Sequence, residues 1–110
     1  MSISLAVIGF GSNRGSRLKY IKHALRLLAL NKNLSLLKTS GIYETEPWGF
    51  KEQNKFLNAS AVFYCRVGPG ELLKIVKDAE NKAGRIKREK WRSREIDIDI
   101  LFLGNKIFKS

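Results

Sequence analysis

Residues 91–104 read Trp-Arg-Ser-Arg-Glu-Ile-Asp-Ile-Asp-Ile-Leu-Phe-Leu-Gly, and this stretch decides the fold and the candidate site. β-branched and apolar residues dominate residues 96–103, which predicts a β-strand. Because successive side chains of a strand point to opposite faces, one face should be apolar and buried. The side chains expected on that face are Ile96, Ile98, Ile100 and Phe102. The other face should carry Asp97 and Asp99.

Asp97 and Asp99 stand two residues apart, so their Cα atoms should lie roughly 7 Å apart along the strand. Unpaired carboxylates at that separation repel each other, and we expect something cationic between them. Mg²⁺ usually takes one or two carboxylates and completes its shell with phosphate oxygens. The alternative is an acidic strand face that is simply solvated.

The segment just before this strand is strongly basic. Residues 82–94 contain seven lysines and arginines and one acid, Glu89, which gives 7 − 1 = +6. Cations beside a carboxylate pair suit a complex of a metal with a triphosphate, and this favours the metal-site interpretation. A segment so charged should be mobile without nucleotide and ordered with it.

Length, charge and cysteine usage limit the function classes. A chain of 110 residues predicts a single domain. The formal net charge of +11 implies an anionic partner: nucleic acid, a membrane surface or a phosphorylated small molecule. A lone cysteine, Cys65, favours a reducing cytoplasm, and neither a membrane-spanning run nor a signal peptide is expected.

The rest of the chain predicts three more strands and two helices. The strands are expected at residues 2–9, 34–44 and 56–67, and the helices at residues 16–30 and 69–83. This βαββαβ order predicts a ferredoxin-like α+β sandwich, with an antiparallel sheet and both helices on one face. The other face of the sheet would then be free for a ligand.

The glycines of residues 9–15, Gly-Phe-Gly-Ser-Asn-Arg-Gly, fall between the first strand and the first helix. We expect a tight turn whose glycines permit unusual backbone angles. A dinucleotide fingerprint is the alternative, but the G-x-G-x-x-x-G spacing and the short chain argue against it.

Several polar and aromatic residues are candidates for ligand binding. Asn58 is unusual in a strand, and its amide could recognise a planar ligand stacked near Phe56 or be satisfied by a neighbouring loop. Trp48 and Phe50 in the preceding loop could form a lid or a satellite core. Glu80 falls at the edge of an apolar helix stripe and could be exposed or point into a site.

Four short motifs occur in order along the chain. They are Gly9-Phe-Gly-Ser-Asn, Tyr43-x-Thr45-x-Pro47-x-Gly49, Phe56-Leu-Asn58-Ala and Arg94-x-x-Asp97-Ile-Asp99-Ile-Leu. Together they resemble the 6-hydroxymethyl-7,8-dihydropterin pyrophosphokinase family of folate biosynthesis over nearly the whole chain. The resemblance implies an ATP-dependent diphosphotransferase that moves a diphosphoryl group from ATP to the pterin hydroxymethyl and releases AMP.

The resemblance also implies roles for individual residues. Asp97 and Asp99 would hold two Mg²⁺ ions, and Arg85 would act on the phosphates. The ATP-binding residues would be Glu80, Lys87, Trp91, Arg94 and Ile100. The pterin-binding residues would be Thr45, Glu46, Trp48, Phe56 and Asn58, the first three through backbone groups.

The chain departs from the family pattern at three places. Arg92 stands where a small residue is usual, and Lys87 replaces an arginine of some relatives, which loses a bidentate fork. The family continues past Ser110 with a segment that supplies a histidine, an arginine and a second aromatic wall for the pterin. We therefore expect a domain incomplete at its C-terminus, as a fragment, a shortened form or a degenerate copy. This 110-residue form should bind Mg·ATP weakly and pterin very weakly, with little or no pyrophosphokinase activity.

Two other functions fit parts of the pattern. An RNA-binding module shares the βαββαβ order and the basic surface, but residues 56–63 lack its K/R-G-F/Y-G/A-F-V pattern of stacking aromatics. Asp97 and Asp99 would also repel an RNA phosphate, so no nucleic-acid partner is expected. An inactive relative retained for protein contacts remains open, and no oligomeric state is predicted.

Overall fold

A computed structural model describes residues 2–46, 54–85 and 95–108, which form five strands and two helices. They are β1 (Ser2–Ser12), α1 (Arg17–Ala29), β2 (Leu34–Thr39), β3 (Tyr43–Thr45), β4 (Phe56–Cys65), α2 (Pro69–Lys82) and β5 (Asp97–Phe108). The sheet has the order β2-β4-β1-β5, with β3 also paired to β4, and every pairing is antiparallel. The predicted α+β, ferredoxin-like sandwich is confirmed.

One face of the sheet is covered by both helices, and the core lies between the two layers. Its largest buried side chains are Phe63, Ile8, Ile21, Leu28, Leu72, Ile96 and Val76. Cys65 is buried in the same core, as expected of a small apolar side chain. Leu18 of α1 and Leu73 of α2 lie outside this core, 42% and 49% exposed. Neither described helix is long and apolar enough to cross a membrane.

The glycine-rich segment is a strand where a turn was expected. β1 continues through Ser12, and Gly9 and Gly11 each pair with both β4 and β5. A Cβ at Gly9 would meet the Leu101 side chain at 3.1 Å, and one at Gly11 would meet Asn58 Oδ1 at 3.3 Å. In this segment a left-handed φ, of +70°, occurs only at Gly15. The first two glycines therefore make room for neighbouring side chains.

A β-bulge in β5 corrects the prediction for Phe102. Ile98 pairs with Phe10 and Ile100 with Ile8, but Phe102 pairs with Val7, which leaves Leu101 as the extra residue. Beyond the bulge the alternation of faces is reversed. Phe102 is 45% exposed, and Leu103 packs against the core in its place.

The strand predicted over residues 34–44 is broken into β2 and β3. Its pairing with β4 shifts between Leu36 and Lys38, and the chain leaves the ladder after Thr39. Ser40 then joins Ser60 twice, since its backbone N–H donates to the Ser60 carbonyl and its hydroxyl accepts from the Ser60 N–H, both at 2.8 Å.

Candidate functional site

One transverse row of residues crosses the sheet face that the helices leave uncovered. Tyr43 of β3 is the partner of Asn58 of β4, Asn58 is the partner of Gly11 of β1, and Gly11 is the partner of Asp97 of β5. Directly paired residues share a face, and neighbouring strands lie about 4.7–4.9 Å apart, so Asn58 and Asp97 are roughly 10 Å apart at Cα. The row brings an amide and a carboxylate to opposite sides of a glycine.

Asn58 is held by groups of β3 and β4. Its Nδ2 atom donates to Thr45 Oγ1 at 2.8 Å and has longer contacts of 3.4 Å with the carbonyls of Tyr43 and Phe56. Its Oδ1 atom lies on the Gly11 side, where a Cβ would be 3.3 Å away. The amide is thus satisfied locally through its nitrogen, while its oxygen faces the centre of the row.

The chain around this amide is tied to the start of α1. Arg17 Nη1 donates to Glu44 Oε2 at 2.9 Å and to the Lys55 carbonyl at 2.8 Å. Lys55 in turn lies 3.6 Å from Glu46, which is exposed. Both ends of the loop between β3 and β4 are therefore fixed, so the backbone groups of Thr45 are held in register with Phe56.

Asp97 and Asp99 lie on the uncovered face, as their strand parity predicts. Asp97 pairs with Gly11 and Asp99 with Gly9, while Ile98 between them is buried in the core. Arg85 lies beside Asp97, and its Nη2 atom is 3.7 Å from Asp97 Oδ1. Both side chains of this pair are partly exposed, at 29% and 24%, so solvent can reach the contact.

The end of α2 explains why Arg85 reaches Asp97. The Arg85 N–H donates to the Glu80 carbonyl at 3.1 Å, and the Gly84 N–H donates to the Asn81 carbonyl at 3.2 Å. These two bonds, with Gly84 at φ +106°, form a Schellman motif. The motif stops the helix and turns the chain back toward β5.

Glu80 joins the same helix end to the strand. Its side chain is 3% exposed, and its Oε2 atom accepts the Ile98 N–H at 2.7 Å. Lys77 lies 3.7 Å from its other oxygen. β5 is an edge strand among the described residues, so Glu80 binds a backbone donor that no other described strand satisfies. The surface position considered for this carboxylate is not what the structure shows.

A second buried carboxylate was not singled out by the sequence. Glu95 is 4% exposed and lies just before β5, and Arg14 Nε is 3.4 Å from its Oε2 atom. Its acidic neighbours Asp97 and Asp99 gave no signal that it would bury, since its partner Arg14 is distant in the sequence.

The remaining predicted site residues are distributed unevenly. Ile100 pairs with Ile8 on the helix side and is half-buried. Trp48, Lys87, Trp91 and Arg94 lie outside the described residues. His23 is exposed on α1, as expected for the polar side of that helix.

Asp97 and Asp99 are the two acidic side chains of β5, and both lie on the uncovered face of the sheet. In the described ranges, no group of three or more His, Cys, Asp or Glu side chains is arranged to hold an ion. Mg²⁺ commonly binds through one or two carboxylates together with phosphate oxygens and water. Asp97 and Asp99 fit that donor set, whereas they would not make a closed site for a structural metal.

Comparison with known proteins identifies similar chains. A family model described as 7,8-dihydro-6-hydroxymethylpterin-pyrophosphokinase (HPPK) matches residues 7–109. A 2-amino-4-hydroxy-6-hydroxymethyldihydropteridine pyrophosphokinase of Bacillus subtilis is 36% identical over 103 residues, which cover 94% of this chain and 62% of the relative. The protein of the same name from Aquifex aeolicus is 40% identical over 94% of this chain and 63% of its own length.

Longer proteins also contain a similar region. The folic acid synthesis protein fol1 of Pneumocystis carinii is 39% identical over 94% of this chain but only 14% of its own length. The chain spans less than two thirds of the length of the two bacterial relatives. These similarities confirm the predicted family resemblance and do not favour the RNA-binding alternative.

Proposed function

The chain belongs to the 7,8-dihydro-6-hydroxymethylpterin-pyrophosphokinase family, and from that premise we propose that it transfers a diphosphoryl group from ATP to 6-hydroxymethyl-7,8-dihydropterin and releases AMP. The chain would act as one pyrophosphokinase domain of folate biosynthesis, in the cytoplasm, with ATP and the pterin as its partners. The observation that carries the proposal is the row from Asn58 through Gly11 to Asp97. It supports two adjacent sites, one for a planar polar ring and one for a charged phosphate chain.

The pterin would lie at the Asn58 end of the row. Phe56 and Asn58 share the uncovered face of β4, so a ring stacked on Phe56 could meet the amide at its edge. Thr45 already holds the Asn58 nitrogen, which fixes the direction of the amide before a ligand arrives. The backbone groups of Thr45 and Glu46, and of Trp48 beyond the described residues, would complete the recognition.

The triphosphate of ATP would lie at the Asp97 end. Asp97 and Asp99 would hold Mg²⁺, two ions in the full proposal, and the metal would neutralise the phosphate oxygens that bare carboxylates repel. Arg85 lies beside Asp97 and could exchange that contact for one with a phosphate oxygen. Lys87, Trp91, Arg94, Glu80 and Ile100 are proposed to contact ATP as well.

The reaction requires little covalent work from the chain. The pterin hydroxyl oxygen would form a bond to the β-phosphorus while the bond from that phosphorus to the oxygen bridging to the α-phosphate breaks, and AMP leaves. Asp97 or Asp99 would accept the hydroxyl proton. The other contributions are positioning of the two substrates and charge stabilisation by Arg85 and its neighbours.

The test is the nucleotide product formed from ATP and Mg²⁺ with and without the pterin. The proposal predicts that AMP formation, however slow in this 110-residue chain, requires the pterin, and that Asp97→Asn forms none. Asp78→Asn is the matched control, because Asp78 is an exposed carboxylate of α2 that forms an ion pair with the exposed Lys82, and the change should leave AMP formation unchanged. Formation of ADP, or of AMP at the same rate without pterin, would contradict the proposal.

A further inference from the structure

The ring of Tyr20, on α1, lies between two turns that come from distant parts of the chain. A Cβ added at Gly15 would be 3.2 Å from Tyr20 Cε2, and one added at Gly84 would be 3.1 Å from Tyr20 Cε1. Gly15 and Gly84 are the two glycines with positive φ in the described ranges, at +70° and +106°. Both left-handed turns therefore approach opposite edges of one ring.

Each of these turns carries an arginine to the beginning of β5. Gly15 follows Arg14, whose Nε atom is 3.4 Å from Glu95. Gly84 precedes Arg85, whose Nη2 atom is 3.7 Å from Asp97. Glu95 and Asp97 flank Ile96 at the start of β5, the strand proposed to bind the phosphates. Tyr20 thus contacts the backbone next to both cations, although it touches neither carboxylate in any described contact.

Arg85 depends on this packing for its position. Its backbone is fixed by the Schellman motif at the end of α2, but its side chain has one long ion-pair contact of 3.7 Å. Its Nε atom is buried and has no hydrogen-bond partner among the described residues. A guanidinium so weakly bonded is placed mainly by where its Cα lies, and the Gly84 backbone next to that Cα rests on the Tyr20 ring.

We propose that Tyr20 is a positioning residue, whose ring sets the distance between Arg85 and Asp97 and so prepares the cation for the phosphate chain. The consequence for ATP rests on the proposed function, whereas the effect on the position of Arg85 does not. Apart from the adjacent residues of the chain, Tyr20 is the one residue in the described parts that a Cβ at Gly15 or Gly84 would meet within 4 Å.

The direct test is the Arg85 Nε–Hε signal in ¹⁵N NMR of the whole chain, assigned by its loss in Arg85→Lys. In the native protein this buried proton should exchange slowly with water. Tyr20→Ala should speed its exchange at least about tenfold, an opening of the kind that hydrogen exchange reports, while Tyr20→Phe, which keeps the ring, should leave it unchanged. Leu27→Ala is the control for general destabilisation, since Leu27 packs on the same core from the same helix without contacting either glycine.

Equal exchange in Tyr20→Ala and the native chain would overturn the proposal. So would equal acceleration in Tyr20→Ala and Leu27→Ala at matched stability, because the effect would then be general loosening.

A double-mutant cycle on Mg·ATP affinity measures the consequence. Tyr20→Ala should weaken binding about three- to tenfold in the native chain and less than about twofold in the Arg85→Ala background, since the two residues would act through one contact. Equal losses in both backgrounds would overturn the positioning role. If Arg85→Ala alone leaves the Mg·ATP affinity unchanged, that result contradicts the proposed function and not the positioning role. The exchange rate of the Arg85 Nε proton would then still test the positioning role.

Discussion

Glu80 connects the helix that delivers Arg85 to the strand that carries both aspartates. Its backbone carbonyl accepts the Arg85 N–H at 3.1 Å, and its carboxylate accepts the Ile98 N–H at 2.7 Å. Ile98 stands between Asp97 and Asp99, so Glu80 links the backbone of Arg85 to the part of β5 that carries the two carboxylates. This arrangement makes Glu80 a positioning residue whether or not it also contacts ATP.

Replacing Glu80 should therefore destabilise the fold. Glu80→Ala leaves the Ile98 N–H buried without its partner, and we expect the free energy of unfolding to fall by about 1–3 kcal/mol. Glu80→Gln keeps an acceptor oxygen and should lose about 1 kcal/mol, since a neutral acceptor is weaker than a charged one. Chemical denaturation measures both values. The control is Asp78→Ala on the exposed side of α2, which should change stability by less than about 0.5 kcal/mol; an equal loss there would show that the Ile98 bond is not the cause.

For individual residues, the sequence predicts well which face of the sheet a side chain occupies, because this depends only on the alternation along its strand. Asp97, Asp99 and Asn58 lie on the uncovered face because side chains alternate along any strand. The burial of Glu80 could not be predicted in the same way. It depends on which backbone donor of an edge strand meets the helix, and that is a property of the assembled fold.

Strand β1 is the element that separates the two halves of the candidate site. Gly11 pairs with Asn58 on one side and with Asp97 on the other, and it offers no side chain between them. A Cβ there would lie 3.3 Å from Asn58 Oδ1 and 3.5 Å from Phe56 Cδ1. The glycine keeps open the space in which the two substrates would meet.

Gly11→Ala should for this reason weaken pterin binding more than nucleotide binding. The added methyl presses on both proposed pterin contacts, and we expect roughly a tenfold loss of pterin affinity, about 1.4 kcal/mol. Calorimetric titration of each ligand separates the two effects. Gly41→Ala is the matched control, because a Cβ at Gly41 would meet nothing within 4 Å. Unchanged pterin affinity in Gly11→Ala would mean that the pterin does not bind on this face.

The end of α2 gives a second prediction for an element. Gly84 has φ +106° and touches the Tyr20 ring, so Gly84→Ala should lower the free energy of unfolding by about 1–3 kcal/mol. Gly70→Ala in the first turn of the same helix meets no atom within 4 Å. It should be neutral or stabilising by up to about 1 kcal/mol. Thermal or chemical unfolding compares them, and equal effects would contradict the strained helix end.

The existence of each strand was easier to predict than the bulges and breaks within it. The apolar pattern of residues 96–103 continues without interruption, yet Leu101 bulges and Phe102 turns to the uncovered face. The single strand predicted over residues 34–44 is likewise broken, between Thr39 and Tyr43. Bulges and breaks arise from the register between strands, which the sequence of a single strand does not contain.

The net charge of the whole molecule attracts anionic ligands over longer distances than these local contacts do. The chain carries 21 lysines and arginines against 10 acids, a net charge of +11. Such an excess raises the local concentration of anions and speeds their association, without specifying where they bind. In the proposed function that specificity would come from Asp97, Asp99 and Arg85, so the net charge and the candidate site would act on the same ligand at different distances.

Salt should therefore weaken the binding of Mg·ATP. Raising ionic strength from about 0.1 M to about 1 M shortens the Debye length from roughly 10 Å to roughly 3 Å. We expect the affinity to fall roughly tenfold over that range, because the attraction to the basic surface is screened. Uncharged adenosine is the control ligand and should bind with little change. Mg·ATP affinity that does not respond to salt would exclude a contribution from the net charge.

The affinity of Mg·ATP for the two aspartate variants tests the proposed site most directly. Calorimetry should show that Asp97→Asn and Asp99→Asn each weaken Mg·ATP binding at least about tenfold, which is 1.4 kcal/mol or more. Both variants keep the shape of the side chain and should unfold near the native midpoint. Asp78→Asn, which changes an exposed carboxylate by the same chemistry, should bind Mg·ATP like the native chain. Native affinity in both Asp97→Asn and Asp99→Asn would contradict a phosphate and metal site on the uncovered face of the sheet.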